Sequence, residues 1–312
     1  MPIDSEGILK TDVTIPLNAT TGLHYISIWN GTEFITQREF HVVEATPVSG
    51  IINENTTWTR YGSPYILTGD LLIYENVSLT IEAGVEIIAT GYYYIWIYQG
   101  ATLNATGTAD LPIIFTSNQT GMPAWGGIRT HYNAQNITVY LKNVYVSYAR
   151  YVFLAYPEPW QTLDFSGMKL IIDNCKITSC RAAVFMFGVW TLGDFYVEIK
   201  NNFIDSCLGS DIFAYEDFSG VGIAYFWKGT IKIINNTFVS GSRYAILLAE
   251  NGAFFEISGN TIMSNFGGIF LSGVSGIRGI IKDNLIAYNS DAGLKLRLFN
   301  GANLTAFNNY IA

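Results

Sequence analysis

The feature that most constrains this chain is a short phrase that returns along its second half: Asn, one residue, then a large apolar residue. Asn202-Phe203-Ile204, Asn236-Thr237-Phe238, Asn260-Thr261-Ile262, Asn284-Leu285-Ile286 and Asn309-Tyr310-Ile311 are five copies, with asparagines 34, 24, 24 and 25 residues apart. Two looser copies precede them, Asn143-Val144-Tyr145-Val146 and Asn174-Cys175-Lys176-Ile177. After each of the first six copies a second apolar run follows, such as Val184-Phe185-Met186, Ile246-Leu247-Leu248 and Ile269-Phe270-Leu271.

Self-similarity at a period in the twenties or low thirties predicts a solenoid. The apolar runs are short, β-branched or aromatic, and bounded by Gly, Asn and Ser, so each unit is built of strands and not of helices. Parallel strands stacked about 4.8 Å apart place equal positions of successive copies over one another. Asn202, Asn236, Asn260, Asn284 and Asn309 then form a structural ladder. Asn tolerates the left-handed backbone of a tight turn, and its amide can hydrogen-bond to the next in the column. The Ile and Phe column beside it lines a dry interior. These residues resemble the right-handed parallel β-helix family, whose fold is shared by pectate lyases, polygalacturonases, phage tailspikes and many secreted or cell-surface proteins. The resemblance covers roughly Pro47 to Ala312. It implies an all-β fold and is silent on activity, because one fold hosts unrelated functions.

Two domains are expected, over residues 1–45 and 46–312. The first reads as three alternating strands near residues 12–16, 22–29 and 33–43, joined by Gly, Asn and Thr turns. It is similar to the last strands of an immunoglobulin-like domain, which needs about seven. A fragment of a longer chain, completion by another subunit, or a cap on the solenoid would each account for that. At the other end, residues 307–312 stop one strand into a repeat. An uncapped solenoid exposes unpaired backbone, so a longer parent or head-to-tail stacking of subunits is expected there.

Only 13% of residues are charged, against about 25% in an average domain. That suits strands buried inward with Thr, Asn, Tyr and Ser outside. The net charge of −8 argues against nucleic acid as a partner, which wants a basic stripe. No stretch approaches about eighteen uninterrupted apolar residues, so no membrane span is expected. Nine Asn-x-Ser/Thr sequons occur, at Asn18, Asn30, Asn55, Asn76, Asn104, Asn118, Asn136, Asn235 and Asn303, seven of them before residue 140. They predict a glycosylated, extracellular or cell-surface protein.

No catalytic residue, metal site or cofactor is assigned from the sequence. The three cysteines, Cys175, Cys180 and Cys207, make no disulfide framework. Cys180 and Cys207 stack in neighbouring coils, where either a disulfide or a pair of buried thiols fits. The coils lengthen at three copies. Counting from the anchors puts Trp160, Trp190 and Phe218 in one column, with Tyr156, Tyr215, Tyr225, Phe226 and Trp227 nearby. An aromatic strip of this kind stacks on sugar rings or a partner protein, which makes Trp160, Trp190, Phe218, Tyr215 and Trp227 the candidate ligand-binding residues. The plainer reading is that these rings fold back and are buried. Arg150, Arg181 and Arg243 form a second expected column. The resemblance implies an Arg or Lys base with acidic residues holding calcium, as in the family's lyases. The candidate acids Asp205, Asp211, Glu216 and Asp217 do not repeat on adjacent coils, and the paired Asp, Gly-His-Gly and Arg-Ile-Lys of polygalacturonases are not found. His24, His41 and His131 are the three histidines, so the repeated coils hold no Ser–His or Cys–His nucleophile system of their own. The expected function is structural or adhesive: a surface-layer, stalk or filament component whose partners are copies of itself, other surface subunits or glycans. A polysaccharide lyase or glycoside hydrolase, or a glycan-binding module, is the alternative.

Overall fold

The computed structural model describes residues 21–42, 44–119, 121–132, 135–156, 164–191, 193–209, 218–226, 228–249, 252–273, 278–298 and 301–312. The chain divides into two units, Met1–Glu44 and Ala45–Ala312. In the first, β1 (Gly22–Asn30) pairs antiparallel with β2 (Glu33–Val42). The hairpin closes through Gly31-Thr32, between the paired Asn30 and Glu33, with Gly31 at a φ of 61°, the positive φ that glycine supplies at the first position of a two-residue loop. The register shifts between Ile28 and Trp29, and the Trp29 and Phe34 rings meet edge to face at 5.3 Å. The strand expected at residues 12–16 lies outside the described residues, and a two-stranded hairpin does not make an immunoglobulin-like sandwich.

The second unit is a stack of parallel coils, each giving one strand to each of three ladders. The first ladder includes Glu86–Ala89, Ile113–Ser117, Val144–Ser147, Lys176–Thr178, Phe203–Asp205 and Thr237–Val239, and ends at Tyr310–Ile311. The second includes Tyr94–Ile97, Trp125–Thr130, Ala149–Ala155, Ala182–Thr191, Phe218–Phe226, Tyr244–Ala249, Gly267–Gly273 and Leu294–Leu298. The third is a ten-stranded parallel sheet from Thr56–Trp58 to Asn303–Phe307. Thr46–Ile52 and Tyr65–Ile73 are long strands that run through a corner and serve the first and second ladders in turn.

Alternation explains why these segments are strands and which way they face. In the third ladder Leu79, Leu103, Val139, Leu170, Val197, Ile231 and Phe255 are in register from coil to coil and all fully buried. Each contributes about 1.5–3 kcal/mol by leaving water. Their strand neighbours face outward. One apolar cluster runs from Trp58 to Ile286 through every coil between.

The corners divide between two residues the work that the sequence reading gave to one asparagine. The left-handed residue at the corner entering the first ladder is Asn143, Asn174, Asn201, Asn235, Gly259, Asp283 or Asn308, with φ between 50° and 65°. The ladder asparagine is the next residue. Asn202, Asn236, Asn260 and Asn284 are buried, and the Nδ2 of each donates to the Oδ1 of the next at 2.9, 3.0, 2.9 and 2.8 Å, ending on Asn309. Each Nδ2 also donates to a third-ladder carbonyl, for example Ile199 for Asn236, at 2.8 Å. Asn143 and Asn174 therefore belong to the turn column and not to the ladder, which is why those two copies carry an extra residue. The corner leading into the second ladder repeats the device. Ser179, Ser206, Ser240 and Ser264 are left-handed there, and Asn265 donates to Asn289 at 3.3 Å. Cys180 and Cys207 hold the equivalent places in earlier coils.

Candidate functional site

One outward column of the second ladder gathers most of the unusual chemistry. Its members, in register coil by coil, are Leu72, Trp96, Arg129, Leu154, Phe185, Gly222, Leu247, Phe270 and Lys295. Its middle is apolar and covered: Leu154, Phe185, Leu247 and Phe270 are at most 6% exposed although they point away from the central core. Phe218, Tyr151, Ala224 and Tyr244 belong to the same second cluster, with Tyr94, Ala182 and Ala249. The Phe218 ring lies 5.1 Å from that of Phe185 and directly over Gly222, where a Cβ would come within 2.5 Å of it.

Both ends of the column are polar and aromatic. At the first, the Asp70 carboxylate accepts from the Tyr94 backbone N–H at 2.9 Å and from Trp96 Nε1 at 3.1 Å. The Arg129 guanidinium stands 4.6 Å above the Trp96 ring and 5.6 Å from the Tyr94 ring, a cation–π arrangement. The Tyr92 and Tyr94 hydroxyls are 3.2 Å apart, and Arg150 donates to the Tyr94 hydroxyl at 3.3 Å. Burial and the Tyr94 hydroxyl push the Tyr92 phenol well above its ordinary pKa, so it is a neutral donor at physiological pH. Asp70 and Tyr92 are exposed, and Trp96, Arg129 and Arg150 are half-buried. A planar ring, a carboxylate and two guanidiniums on one surface can stack on a sugar and hydrogen-bond its hydroxyls or acidic groups. His131 lies apart, stacked on Tyr98 at 4.2 Å and beside Tyr132 at 3.7 Å; burial lowers its pKa and keeps it neutral.

At the other end the buried Tyr244 donates a short hydrogen bond to Asp291. Lys295 Nζ is 3.7 Å from the same carboxylate and sits over the Tyr244 and Phe270 rings. Burial raises the Tyr244 pKa. The hydrogen bond from Tyr244 lowers that of Asp291, and contact with Tyr244 raises that of Lys295. All three shifts favour neutral phenol, carboxylate and ammonium, so the group is a locked ion pair and a poor proton relay near pH 7. Among the described residues no group of three or more His, Cys, Asp or Glu is placed to hold a metal ion.

Among the described residues, Trp190 and Phe218 of the expected aromatic column do not stand in register. Phe218 opens its strand and pairs with Tyr244, whereas Trp190 lies near the end of Ala182–Thr191, whose Thr191 pairs with Phe226. The extra residues of the Asn202 coil come before the second ladder, but those of the Asn143 coil come after it, so counting from the anchors misaligned them. Phe218 is fully buried and has no open ring face. Trp160, Tyr215 and Trp227, with the acids Asp211, Glu216 and Asp217, lie outside the described residues. Arg150 and Arg181 do stand in register, beside Tyr151 and Ala182. Cys175, Cys180 and Cys207 are free and buried. Burial lifts the thiols of Cys175 and Cys207 to about 12 and that of Cys180 well above its usual value. Sequence reasoning missed Asp70, Tyr92, Tyr94, Trp96 and Arg129, whose signal is the aromatic run of residues 92–96.

Closed parallel coils, internal amide ladders and outward-facing chemistry on one ladder define a β-helical protein. Two family models match the chain, a pectate-lyase-like beta helix domain over residues 50–141 and a right-handed beta helix region over residues 162–311. The chain belongs to the right-handed parallel β-helix family. No curated protein and no solved structure matches it.

Proposed function

We propose that this chain is a non-catalytic structural or adhesive module of the cell surface, a surface-layer, stalk or filament component that contacts copies of itself or other surface subunits. The observation that carries this reading is the run of buried amides from Asn202 to Asn309, bonded coil to coil beside an unbroken apolar core. Bending the stack would break these bonds in a dry interior, where an unmade hydrogen bond is most costly. The outer strands add self-paired ions, Lys200–Glu198 at 3.0 Å and Lys282–Glu256 at 3.1 Å. The resting charge states of Tyr244, Asp291 and Lys295 favour a stabilising role over acid–base work. The family includes pectate lyases as well as surface proteins, so the choice rests on this side-chain chemistry. Negative-stain imaging and light scattering of protein purified from its source should give filaments or sheets. A monodisperse monomer that depolymerises an acidic polysaccharide would overturn the reading in favour of an enzyme.

A second reading, a glycan-binding surface, is favoured by the patch of Asp70, Tyr92, Tyr94, Trp96, Arg129 and Arg150. It is compatible with adhesion. Trp96→Ala should weaken binding to acidic glycans about five- to thirtyfold, since a stacked ring is worth on the order of 1–2 kcal/mol. Unchanged glycan binding by a folded Trp96→Ala protein would remove this patch from consideration.

A further inference from the structure

The third ladder changes character along its length. Its outward positions in the early coils, Thr57, Ser78, Thr80, Thr102, Asn104, Thr106, Thr138 and Tyr140, carry no charge, and Glu82, one residue past Ser78–Ile81 and level with Thr106, is the exception. From Lys142 onward the same face carries Lys169, Asp173, Glu198, Lys200, Lys232, Glu256 and Lys282, with ion pairs among them. Four of the nine sequons lie along this uncharged half, whereas a fifth on the ladder, Asn303, opens its last strand beside Arg278. Asn55, Asn76, Asn104 and Asn136 come one from each of four successive coils, on a third-ladder strand or at the corner leading into it.

Three geometric facts make these four asparagines receptive. They are exposed or half-exposed, whereas Asn202, Asn236, Asn260 and Asn284 are buried and their amides are bonded coil to coil. Among the described residues the Nδ2 of none of the four donates to a protein group; Asn55 and Asn104 use only Oδ1, accepting from the Ser78 N–H at 2.9 Å and the Thr106 hydroxyl at 2.8 Å. Adjacent coils also stagger them. Thr56 pairs with Leu79, which sets Asn55 beside Ser78 and two positions along from Asn76. Asn104 pairs with Thr80 and Tyr140, near the centre of the face. Asn76 and Asn136 share a corner, but the coil between them places Gly100 there, with Asn76 Oδ1 2.2 Å from where its Cβ would be. Two coils, about 9–10 Å, therefore separate the asparagines at that corner.

We propose that this uncharged half-face is the N-glycan-bearing face of the protein, with glycans at Asn55, Asn76, Asn104 and Asn136 supplying the hydration that charge supplies further along. The inference rests on the reading of the chain as an exported protein and goes beyond it by assigning the face that assembly contacts must leave free. In the transfer the amide Nδ2 bonds to the anomeric carbon of an activated, phosphate-linked glycosyl donor. The carbon–oxygen bond to the phosphate breaks, the phosphate leaves with the electron pair, and Nδ2 loses a proton. A host glycosyltransferase supplies both donor and catalysis.

The test is peptide mapping by mass spectrometry of the full chain purified from its source, before and after enzymatic deglycosylation. Modified peptides covering Asn55, Asn76, Asn104 and Asn136 are expected. The variant Thr57→Ala/Ser78→Ala/Thr106→Ala/Thr138→Ala, which abolishes the four sequons without disturbing any Asn backbone, should lose most of the attached glycan mass while keeping its far-ultraviolet circular dichroism. Glycan only at Asn18, Asn30, Asn118, Asn235 or Asn303, with the four sites bare, overturns the face assignment alone. A chain bearing no N-glycan anywhere overturns both it and the export reading on which it rests.

Discussion

Asn236 shows how a single side chain joins three coils. Its Oδ1 accepts from the backbone N–H and the Nδ2 of Asn202, at 3.0 and 2.9 Å. Its Nδ2 donates to the Ile199 carbonyl and to Asn260 Oδ1, at 2.8 and 3.0 Å. Asn236→Ala leaves buried donors and acceptors unmatched and should cost about 2–4 kcal/mol, read as a drop in unfolding free energy in denaturant titrations. Asn236→Cys should cost less. Cys175 holds the equivalent place beside Asn202, and its thiol lies 3.6 Å from the Leu141 carbonyl, the register partner of the Ile172 carbonyl that Asn202 reaches. Equal losses for the two substitutions would mean that cavity and not amide chemistry sets the cost. The ladder was legible because its asparagines recur beside apolar anchors. The division of labour within each corner was not, since neighbouring Asn-Asn pairs such as Asn201-Asn202 and Asn235-Asn236 read alike in one dimension.

Among the elements, the strand Phe218–Phe226 has two faces that bury different things. Val221 and Ile223 face the central core, while Phe218 and Ala224 join the outer cluster around Phe185 and Tyr244. Phe218→Ala should therefore destabilise the fold by about 3–5 kcal/mol, measured as a lowered thermal midpoint. An unchanged midpoint would restore Phe218 as a candidate ligand-binding ring. Strand order and the inward faces could be read from alternation alone, because burial repeats with period two. The second cluster could not, because Phe185, Phe218 and Tyr244 become neighbours only once each coil's insertion is placed before or after the second ladder. The polar patch was hidden for a related reason. Asp70, Trp96 and Arg129 come from early coils that lack the Asn anchor, so nothing in the sequence set their register.

For the molecule as a whole, every strand of the second unit pairs with strands of neighbouring coils, so coupling passes from one coil to the next. Asn236→Ala should raise amide hydrogen exchange in Tyr196–Lys200, Thr230–Ile234 and Phe254–Ser258 while leaving Ser78–Ile81 and Thr102–Thr106 protected. A uniform rise across all of these strands would mean that the unit opens only as a whole. The ladder spacing has one more consequence. Asn236 and Asn260 hold equivalent places 24 residues apart, so removing residues 236–259 would rejoin every column to its counterpart. A deletion one residue shorter would turn the inward side chains of the following strands to water. Residues added at a corner lengthen a turn without moving the columns, as the 34- and 25-residue spacings show, so the reach of the stack changes only by whole turns, in steps of about 4.8 Å.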